Sequence, residues 1–250
     1  MSAGTALITG AAGGLGSAIA RRLASQGCSA VCLDLDQDAA QRTAQAIVQS
    51  GGSAVGFGVD ITDEDSVHEL RETLAGRDML PQYLINAAGI MFRGQLDTTD
   101  TATFRKVLEV NVTGAYTVTR EFAGDLAATG AGRVVNIGSI AGMNGYEFTA
   151  YATSKGALVN LTRALVLDFW GKGVTVNAVC PGPMRTPMLN TAAMEAFLRK
   201  TPTRHISSAD EVAGVCAFLL SEDAANINGQ TLVVDGGATA VFRFTEEEAR

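Results

Sequence analysis

The sequence predicts a single α/β domain: a doubly wound, Rossmann-type seven-stranded parallel sheet with helices on both faces. Three observations support this fold class. Seven short apolar segments alternate with longer segments of helical periodicity. The apolar segments are continuous, which is typical of strands buried on both faces. A glycine-rich turn joins the first strand to the first helix.

The predicted elements alternate along the whole chain. Strands are expected where short apolar runs stand between turn residues, and helices where apolar residues recur every three to four positions. The predicted strands are 6–8, 30–33, 54–59, 83–85, 133–137, 174–179 and 231–234. The predicted helices are 17–26, 38–50, 64–75, 101–128, 151–170 and 210–220. Residues 185–205, between the sixth strand and the last helix, are placed to form a lid.

The composition argues against several classes of function. The net charge of −7 disfavours nucleic acid and anionic membranes as partners, because both select basic patches. The first residues lack a signal-peptide pattern, and no apolar run approaches the ~20 residues of a membrane span. We therefore expect a cytoplasmic protein.

The cysteines and histidines do not predict a metal site. No CxxC pair occurs, and the two histidines stand in unrelated contexts. We expect buried thiols in a reducing compartment. The four cysteines are Cys28, Cys32, Cys180 and Cys216.

The turn after the first strand predicts a dinucleotide site. It reads Thr9-Gly10-Ala11-Ala12-Gly13-Gly14-Leu15-Gly16. Glycines let the backbone turn tightly and approach a pyrophosphate, and the following helix presents free N–H groups to it. A plain turn could occur anywhere in the chain, whereas a dinucleotide-binding turn is expected at the first strand–helix junction, where this one lies. The expected contacts are Gly10, Gly14, Leu15 and Gly16.

The end of the second strand indicates which dinucleotide is bound. Asp34 stands eighteen residues after Gly16, where a carboxylate accepts hydrogen bonds from ribose hydroxyls and repels a 2′-phosphate. Leu35 follows, and no Arg or Lys lies beside Asp34 or in the glycine-rich turn. The sequence therefore favours NAD over NADP, with Asp36 as the alternative acidic residue for this role.

Two further strand ends add candidate cofactor contacts. Asp60 ends the third strand and can reach the adenine edge, while Ile61 packs on the ring. The same carboxylate also suits a helix N-cap motif near Thr62. The fourth strand ends in Asn86-Ala87-Ala88-Gly89, whose small residues let the backbone lie beside the riboses.

A tyrosine and a lysine form the candidate catalytic pair. Tyr151 and Lys155 are four residues apart at the start of a helix and so share one face. A phenol normally has a pKa of about 10, and a nearby ammonium lowers it. Tyr151 can then exchange a proton with an alcohol oxygen near neutral pH. Ser139 follows the fifth strand, and its hydroxyl is placed to hold the same oxygen.

Jointly these motifs resemble the short-chain dehydrogenase/reductase family over residues 5–237. The matched positions are Thr9-Gly10, Gly14, Gly16, Asn86 to Gly89, Asn111, Ser139, Tyr151, Lys155, Pro181-Gly182 and Val234 to Gly237. Two departures are Ala87, where many members have a second Asn, and Gly138, where many have Ser.

The resemblance implies an oxidoreductase with an Asn-Ser-Tyr-Lys tetrad. In it Tyr151 is the acid/base and Ser139 positions the carbonyl oxygen. Lys155 binds the nicotinamide ribose and lowers the tyrosine pKa. Asn111 holds a water that relays protons from Lys155; spacing alone would not have identified this residue.

The resemblance also implies further contacts and an assembly. Pro181, Gly182, Met184 and Thr186 would contact the nicotinamide carboxamide, although Met184 replaces a frequent β-branched residue. A homotetramer would be built partly from the two long helices that contain Asn111 and Tyr151. Within one domain over 1–250, residues 1–90 form the cofactor-binding half, 91–240 the catalytic and substrate half, and 241–250 a charged tail.

The expected partner is a small-molecule substrate, a hydrophobic secondary alcohol or ketone that is bulky or cyclic. The candidate pocket is apolar and Met-rich, with charged exceptions at Arg93, Glu147 and Arg185. Its members are Met91, Phe92, Met143, Tyr146, Phe148, Met184, Met188 and Leu189.

Three alternatives stay open at this point. A 3-oxoacyl carrier-protein reductase generally uses NADP and docks an acidic carrier, which Asp34 and the acidic chain disfavour. A catalytically silent dinucleotide-sensing regulator would be marked by loss of the Tyr or the Lys. An epimerase or dehydratase on this scaffold is usually longer.

Overall fold

The computed structural model describes residues 4–185 and 191–241, and within them one parallel sheet organises the chain. Its strand order is β3-β2-β1-β4-β5-β6-β7, and every neighbouring pair is parallel. The predicted fold class is confirmed. The strands are β1 Thr5–Thr9, β2 Ser29–Asp34, β3 Ser53–Gly58, β4 Tyr83–Asn86, β5 Arg133–Ile137, β6 Thr175–Pro181 and β7 Thr231–Val234.

Helices cover both faces of this sheet. One core holds apolar side chains of α1, α2 and α9, and the other holds those of α3, α5, α6 and α7. None of these described helices is both long and apolar enough to cross a membrane. The helices are α1 Gly14–Ser25, α2 Gln37–Gln49, α3 Glu64–Ala75, α4 Thr101–Leu108, α5 Gly114–Glu121, α6 Ala123–Ala128, α7 Thr149–Asp168, α8 Thr191–Lys200 and α9 Ala209–Leu220.

The prediction of one continuous helix over 101–128 is wrong. A π-helical turn, Glu109–Thr113, separates α4 from α5, and Phe122 separates α5 from α6. The π turn allows the Asn111 side chain to bond outside its own helix, while Phe122 is fully buried in the core. The apolar residues keep a helical spacing through both interruptions, so the sequence pattern did not reveal them. Helix α8 lies within the segment expected to form a lid and was not predicted.

A buried polar network ties the sheet centre to the helices on one face. The Asn86 side chain in β4 donates to Asn136 Oδ1 in β5 at 2.8 Å and to Thr119 Oγ1 in α5 at 3.0 Å. The Asn136 amide donates to Thr162 Oγ1 in α7 at 2.9 Å. Because a buried amide is costly unless it is paired, this network specifies the register of β4 against β5.

The sheet reverses its winding direction between β1 and β4. Strand β1 pairs with β2 on one side and with β4 on the other. Helices after β1 and after β4 therefore leave in opposite directions, which opens a crevice at the carboxyl ends of these strands. This crevice is the position at which the sequence motifs converge.

Close packing of β3 on α2 gives a test of the fold. A Cβ at Gly56 would lie 2.6 Å from backbone atoms of Ala40, whereas one at Gly124 in α6 meets nothing within 4 Å. We expect Gly56→Ala to lower the free energy of unfolding by about 1–3 kcal/mol through overpacking. The control Gly124→Ala gains up to about 1 kcal/mol from helix propensity.

Thermal unfolding of the two variants checks this prediction. For a domain of this size, each kcal/mol corresponds to about 2–4 °C in Tm. A Gly56→Ala variant as stable as the parent protein would show that β3 and α2 are not in this close contact.

Candidate active site

A cavity of about 360 Å³ lies at the crevice between β1 and β4. It gathers the carboxyl ends of the first four strands with the start of α1 and the end of α4. The predicted residues that line it are Gly10, Leu15, Gly16, Asp34, Leu35, Asp60, Ile61, Ala87, Ala88 and Gly89. Residues that the sequence did not indicate also line it: Gly13, Leu33, Val59, Thr62, Ile90, Lys106 and Val110.

The glycine-rich turn lies against the end of β4. Gly10 has φ +67°, and a Cβ there would lie 2.7 Å from the Ala88 Cα. A Cβ at Gly16 would lie only 2.2 Å from the Gly10 carbonyl oxygen. The Thr9 hydroxyl accepts from the backbone N–H groups of Ala87 and Ala88 at 3.0 Å each. Both glycines are thus required for the turn to reach its position.

Helix α1 begins in this turn with an open N-terminus. Its N-cap is Gly13, which offers no side chain to the first N–H groups, and no acidic residue stands in the first turn. Gly14 is the exposed first residue of the helix and lies beside the cavity rather than in its lining. The free N–H groups and the helix dipole suit a pyrophosphate.

Asp34 faces the cavity, whereas its competitor Asp36 is committed elsewhere. Asp34 Oδ2 accepts from the Ala12 N–H at 3.0 Å, which orients the carboxylate toward the glycine-rich turn. Asp36 caps α2 by accepting from the Ala39 N–H at 3.0 Å. A carboxylate has about four acceptor positions, so Asp34 retains capacity for ribose hydroxyls.

Asp60 and Ile61 line the same cavity, as expected of adenine contacts. Asp60 Oδ1 accepts from the Thr62 N–H at 2.9 Å and from its hydroxyl at 2.7 Å. These bonds, aided by the nearby Lys106 ammonium, lower the Asp60 pKa below its usual range. The N-cap of α3 is Asp63, so Asp60 forms the turn before the helix without capping it.

Asn111 lies at the centre of the π turn and is fully buried. Its amide exchanges two hydrogen bonds with the Ile90 backbone, accepting at 2.7 Å and donating at 2.9 Å. It also donates to Ser154 Oγ at 2.9 Å, and Ser154 donates to the Tyr151 carbonyl at 2.7 Å. The side chain thereby joins three segments: the loop after β4, the π turn and the start of α7.

The Lys155 ammonium is buried, with only 5% of the residue exposed. It donates to the Ile137 carbonyl at the end of β5 at 2.8 Å. Burial lowers the pKa of Lys155 to about 8. A Cβ at Gly89 would lie 3.1 Å from Asn111 Oδ1 and 3.4 Å from Lys155 Nζ, so the lysine and the asparagine meet beside that glycine.

Tyr151 and Ser139 come together at the carboxyl edge of the sheet. The Ser139 hydroxyl lies close enough to the phenol to favour its ionised form, and Ser139 Oγ accepts from the Ala141 N–H at 3.1 Å. The Lys155 Nζ lies 5.8 Å from the centre of the tyrosine ring. Burial raises the Tyr151 pKa, and the Ser139 hydroxyl only partly opposes this shift. The expected lowering of this pKa by the lysine is therefore wrong for the protein without cofactor, because desolvation dominates.

The remaining predicted contacts lie apart from the cavity lining. Pro181 ends β6, and the Gly182 N–H donates to the Val234 carbonyl at 2.9 Å. Met184 forms a bridge to Ser207. Thr186 lies outside the described residues. Asn86, although expected to contact the cofactor, directs its side chain into the sheet network and does not line the cavity.

The apolar side chains predicted to line a substrate pocket are partly exposed in the loops after β4 and β5. Met91, Phe92, Met143 and Tyr146 are each exposed by 37–47%, and the Tyr146 ring meets Phe148 edge-on with centroids 5.3 Å apart. The Thr149 N–H donates to the Gly94 carbonyl at 3.1 Å, which holds the loop after β4 against α7. Met188 and Leu189 lie outside the described residues.

Comparisons with known proteins agree with this geometry. The family model described as enoyl-(acyl carrier protein) reductase matches residues 10–239. 2-(S)-hydroxypropyl-CoM dehydrogenase 3 of Xanthobacter autotrophicus is 34% identical over 244 residues, covering 94% of this chain and 96% of that protein. Cis-4-hydroxycyclohexanecarboxylate dehydrogenase of Sinomonas cyclohexanicum is 36% identical over 243 residues, with coverages of 94% and 96%.

A solved structure extends the likeness to three dimensions. Gluconate 5-dehydrogenase from Burkholderia cenocepacia, in complex with NADP and tartrate, superposes with a TM-score of 0.90 at 30% identity. The match covers 95% of this chain and 96% of that one. The dinucleotide-type crevice, the Ser-Tyr-Lys cluster and these matches lead to one assignment: the chain belongs to the short-chain dehydrogenase/reductase family and is an oxidoreductase that acts on CH–OH groups with a nicotinamide dinucleotide.

Proposed function

We propose that this protein is an NAD-dependent dehydrogenase that interconverts a hydrophobic secondary alcohol and its ketone. The observation that carries the proposal is the placement of the Ser139 hydroxyl next to the Tyr151 phenol, beside a buried lysine whose Nζ lies 5.8 Å from the centre of the tyrosine ring. Two oxygens that can each donate or accept a proton converge there on one position, as a carbinol oxygen requires.

The residues of the crevice themselves fit a nicotinamide dinucleotide. The close approach of Gly10 and Gly16 to neighbouring backbone holds the turn beside the cavity, and Gly14, where a Cβ would meet nothing within 4 Å, leaves open space at the uncapped N-terminus of α1. When bound, the nicotinamide supplies the hydride acceptor for oxidation and the hydride donor for reduction. Residues 1–90 mainly hold this cofactor, and residues 91–240 carry the chemistry.

In the oxidation direction, Ser139 and Tyr151 hold the alcohol oxygen. Because burial raises its pKa, Tyr151 acts as a general base only in its ionised form; that phenolate accepts the hydroxyl proton, and the adjacent Ser139 hydroxyl keeps it oriented. In the reduction direction, Tyr151 returns the proton to the ketone oxygen. The apolar surroundings exclude water from this exchange.

After Tyr151 has accepted the proton, Lys155 and Asn111 take part in passing it on. A lysine whose pKa is about 8 exchanges protons readily near neutral pH. Asn111 orders the π turn beside it through bonds to Ile90 and Ser154. We assign Asn111 to a water-mediated relay that leads from Lys155 toward solvent.

Asp34 is the basis for NAD rather than NADP. Its carboxylate lines the cavity where a 2′-phosphate would have to lie, and repulsion disfavours that group. The similar protein from Burkholderia cenocepacia was solved with NADP, so the preference for NAD is proposed for this chain from Asp34.

The substrate is a hydrophobic secondary alcohol because the side chains predicted to line its pocket are apolar or aromatic. Cis-4-hydroxycyclohexanecarboxylate dehydrogenase is a relative named for a cyclic alcohol substrate. We also propose a homotetramer in the cytoplasm. Its contacts would use the helical segments that contain Asn111 and Tyr151; at the end of the second, Leu167 in α7 is exposed by 67% and Trp170, just after α7, by 78%.

Removing the phenolic hydroxyl tests the mechanism. We expect Tyr151→Phe to lower kcat for secondary-alcohol oxidation at least ~100-fold, because general acid–base catalysis contributes about that much. NADH affinity, measured by fluorescence titration, should change less than about twofold. The control Tyr116→Phe on the exposed face of α5 should retain kcat, and unchanged turnover in Tyr151→Phe would refute the proposed role.

Replacing the acidic residue at the end of β2 tests cofactor choice. We expect Asp34→Ser to lower kcat/KM for NAD and raise it for NADP, each by about tenfold, because one hydrogen-bonding and repelling charge is lost. Asp36→Ser is the matched control, since serine also caps a helix. A parent enzyme that uses NADP more efficiently than NAD would contradict the assignment.

Because Lys155 is buried, we expect it to lower the stability of the protein although it is needed for activity. Its pKa falls from 10.5 unfolded to about 8 folded, so between these values the unfolded chain binds more protons. The cost of the buried ammonium is therefore complete below pH 8 and disappears as pH rises toward 10.5. We expect Lys155→Met to abolish turnover yet raise Tm at pH 7, by about 2–4 °C for each kcal/mol recovered.

The pH dependence distinguishes this cause from a packing effect. The Tm gain of Lys155→Met should shrink steadily above pH 8. Lys172→Met is the control, because Lys172 is exposed, donates to the Asp168 carbonyl at 2.8 Å and lies 6.0 Å from the centre of the Phe169 ring. A Tm for Lys155→Met below that of the parent at pH 7 would contradict the prediction.

A further inference from the structure

Cys180 is a buried residue next to the catalytic cluster that the proposed chemistry does not use. The register of β5 and β6 pairs Ile137 with Val179, so Cys180 stands beside Gly138, one residue before Ser139. Cys180 is fully buried. A Cβ at Gly138 would lie 2.5 Å from the Cys180 sulfur, which means that the thiol occupies the space where a side chain at 138 would begin.

Three interactions hold the segment that carries Ser139. Lys155 Nζ donates to the Ile137 carbonyl at 2.8 Å, and the Gly138 N–H donates to the Val179 carbonyl at 2.8 Å. The third is the contact of the Cys180 sulfur with Gly138, which also brings the sulfur near enough to the Ser139 backbone N–H for that group to affect the thiol pKa. Only this third interaction comes from a side chain outside the tetrad.

We infer that Cys180 is a positioning residue: its thiol, packed on Gly138 next to the Ser139 backbone, holds the Ser139 hydroxyl in line with Tyr151. This inference rests on the proposed role of Ser139 as the group that holds the substrate oxygen. Ser139 has extended backbone, with φ −167° and ψ 154°, and it caps the short turn Ile140–Gly142. A small rotation of its backbone would therefore redirect the hydroxyl away from the phenol.

Gly138 leaves the space that the Cys180 sulfur occupies. Many members of the family have Ser at this position, whereas here the sulfur takes that volume from the neighbouring strand. The thiol is neutral, because burial raises its pKa. Cys180 thus acts by its shape and by its place next to the Ser139 backbone, and no covalent or charge-transfer step is assigned to it.

Removal of the sulfur should affect catalysis more than binding. We expect Cys180→Ala to lower kcat for alcohol oxidation about tenfold, since small misplacements of reacting groups are costly. KM for the alcohol and KM for NAD should each change less than about threefold. Cys180→Ser, which restores a group able to bond to the backbone, should return kcat to within about threefold of the parent and also supplies a readout if the alanine variant does not fold.

Cys216 offers a matched control. It is also fully buried, but it lies in α9 within the core on one face of the sheet. Cys216→Ala removes the same atom and leaves a comparable cavity, so Tm should fall while kcat stays within about twofold. A merely structural role for Cys180 would make its alanine variant behave in the same way.

A double-mutant cycle tests the contact with Gly138. Gly138→Ala alone should lower kcat about tenfold, because the new methyl group displaces the thiol. In the Cys180→Ala background the same change should cost less than about threefold, because the methyl group then fills the vacated space. Such non-additivity is expected only for residues in contact.

Two outcomes would overturn the inference: kcat of Cys180→Ala within twofold of the parent, or strictly additive effects in the cycle. Failure of the proposed function is a separate result, since it appears as retained turnover in Tyr151→Phe. If Tyr151→Phe is inactive while Cys180→Ala is fully active, the tetrad stands and only the role of Cys180 is lost.

Discussion

The close approach of β1 to the end of β4 is the contact on which the rest of the site depends. Thr9 binds two backbone N–H groups of the β4 turn, and Gly10 lies where no side chain fits. This contact closes the crevice at the point where the order of the strands in the sheet reverses. The cavity, the open N-terminus of α1 and the acidic ends of β2 and β3 are all placed relative to it.

The catalytic end depends on a charge that the fold holds out of water. Lys155 is buried with a carbonyl as its partner, and its pKa falls to about 8 as a result. Tyr151 nearby has a raised pKa for the same reason, burial. Desolvation thus favours the neutral form of both groups: the phenol retains its proton, while the lysine releases one more readily. The buried charge lowers the stability of the protein, and the well-packed strands around the site compensate for this cost.

Several features followed from local sequence because their causes are local. Strand positions were predicted within about two residues, since buried parallel strands are apolar throughout. The glycine-rich turn, Asp34 and the Tyr151–Lys155 pair were identified from spacing, and the fold brings them to one sheet edge. The π turn at Asn111 was not identified, because it is stabilised by bonds to Ile90 and Ser154, which are distant in sequence. The inward direction of the Asn86 side chain was missed for the same reason: its partners are on β5 and α5.

By itself the sequence determined the fold class, the dinucleotide crevice and the identity of the residues that can do chemistry, because these depend on periodicity, turn residues and functional groups. Tertiary structure alone decided which acidic residue faces the cavity, how far burial shifts the pKa values of Tyr151 and Lys155, and that Lys106 and Val110 join the lining. It also decided that the Cys180 sulfur lies against Gly138. Each of these outcomes depends on distances between segments far apart in the chain, and burial and electrostatic effects are set by those distances.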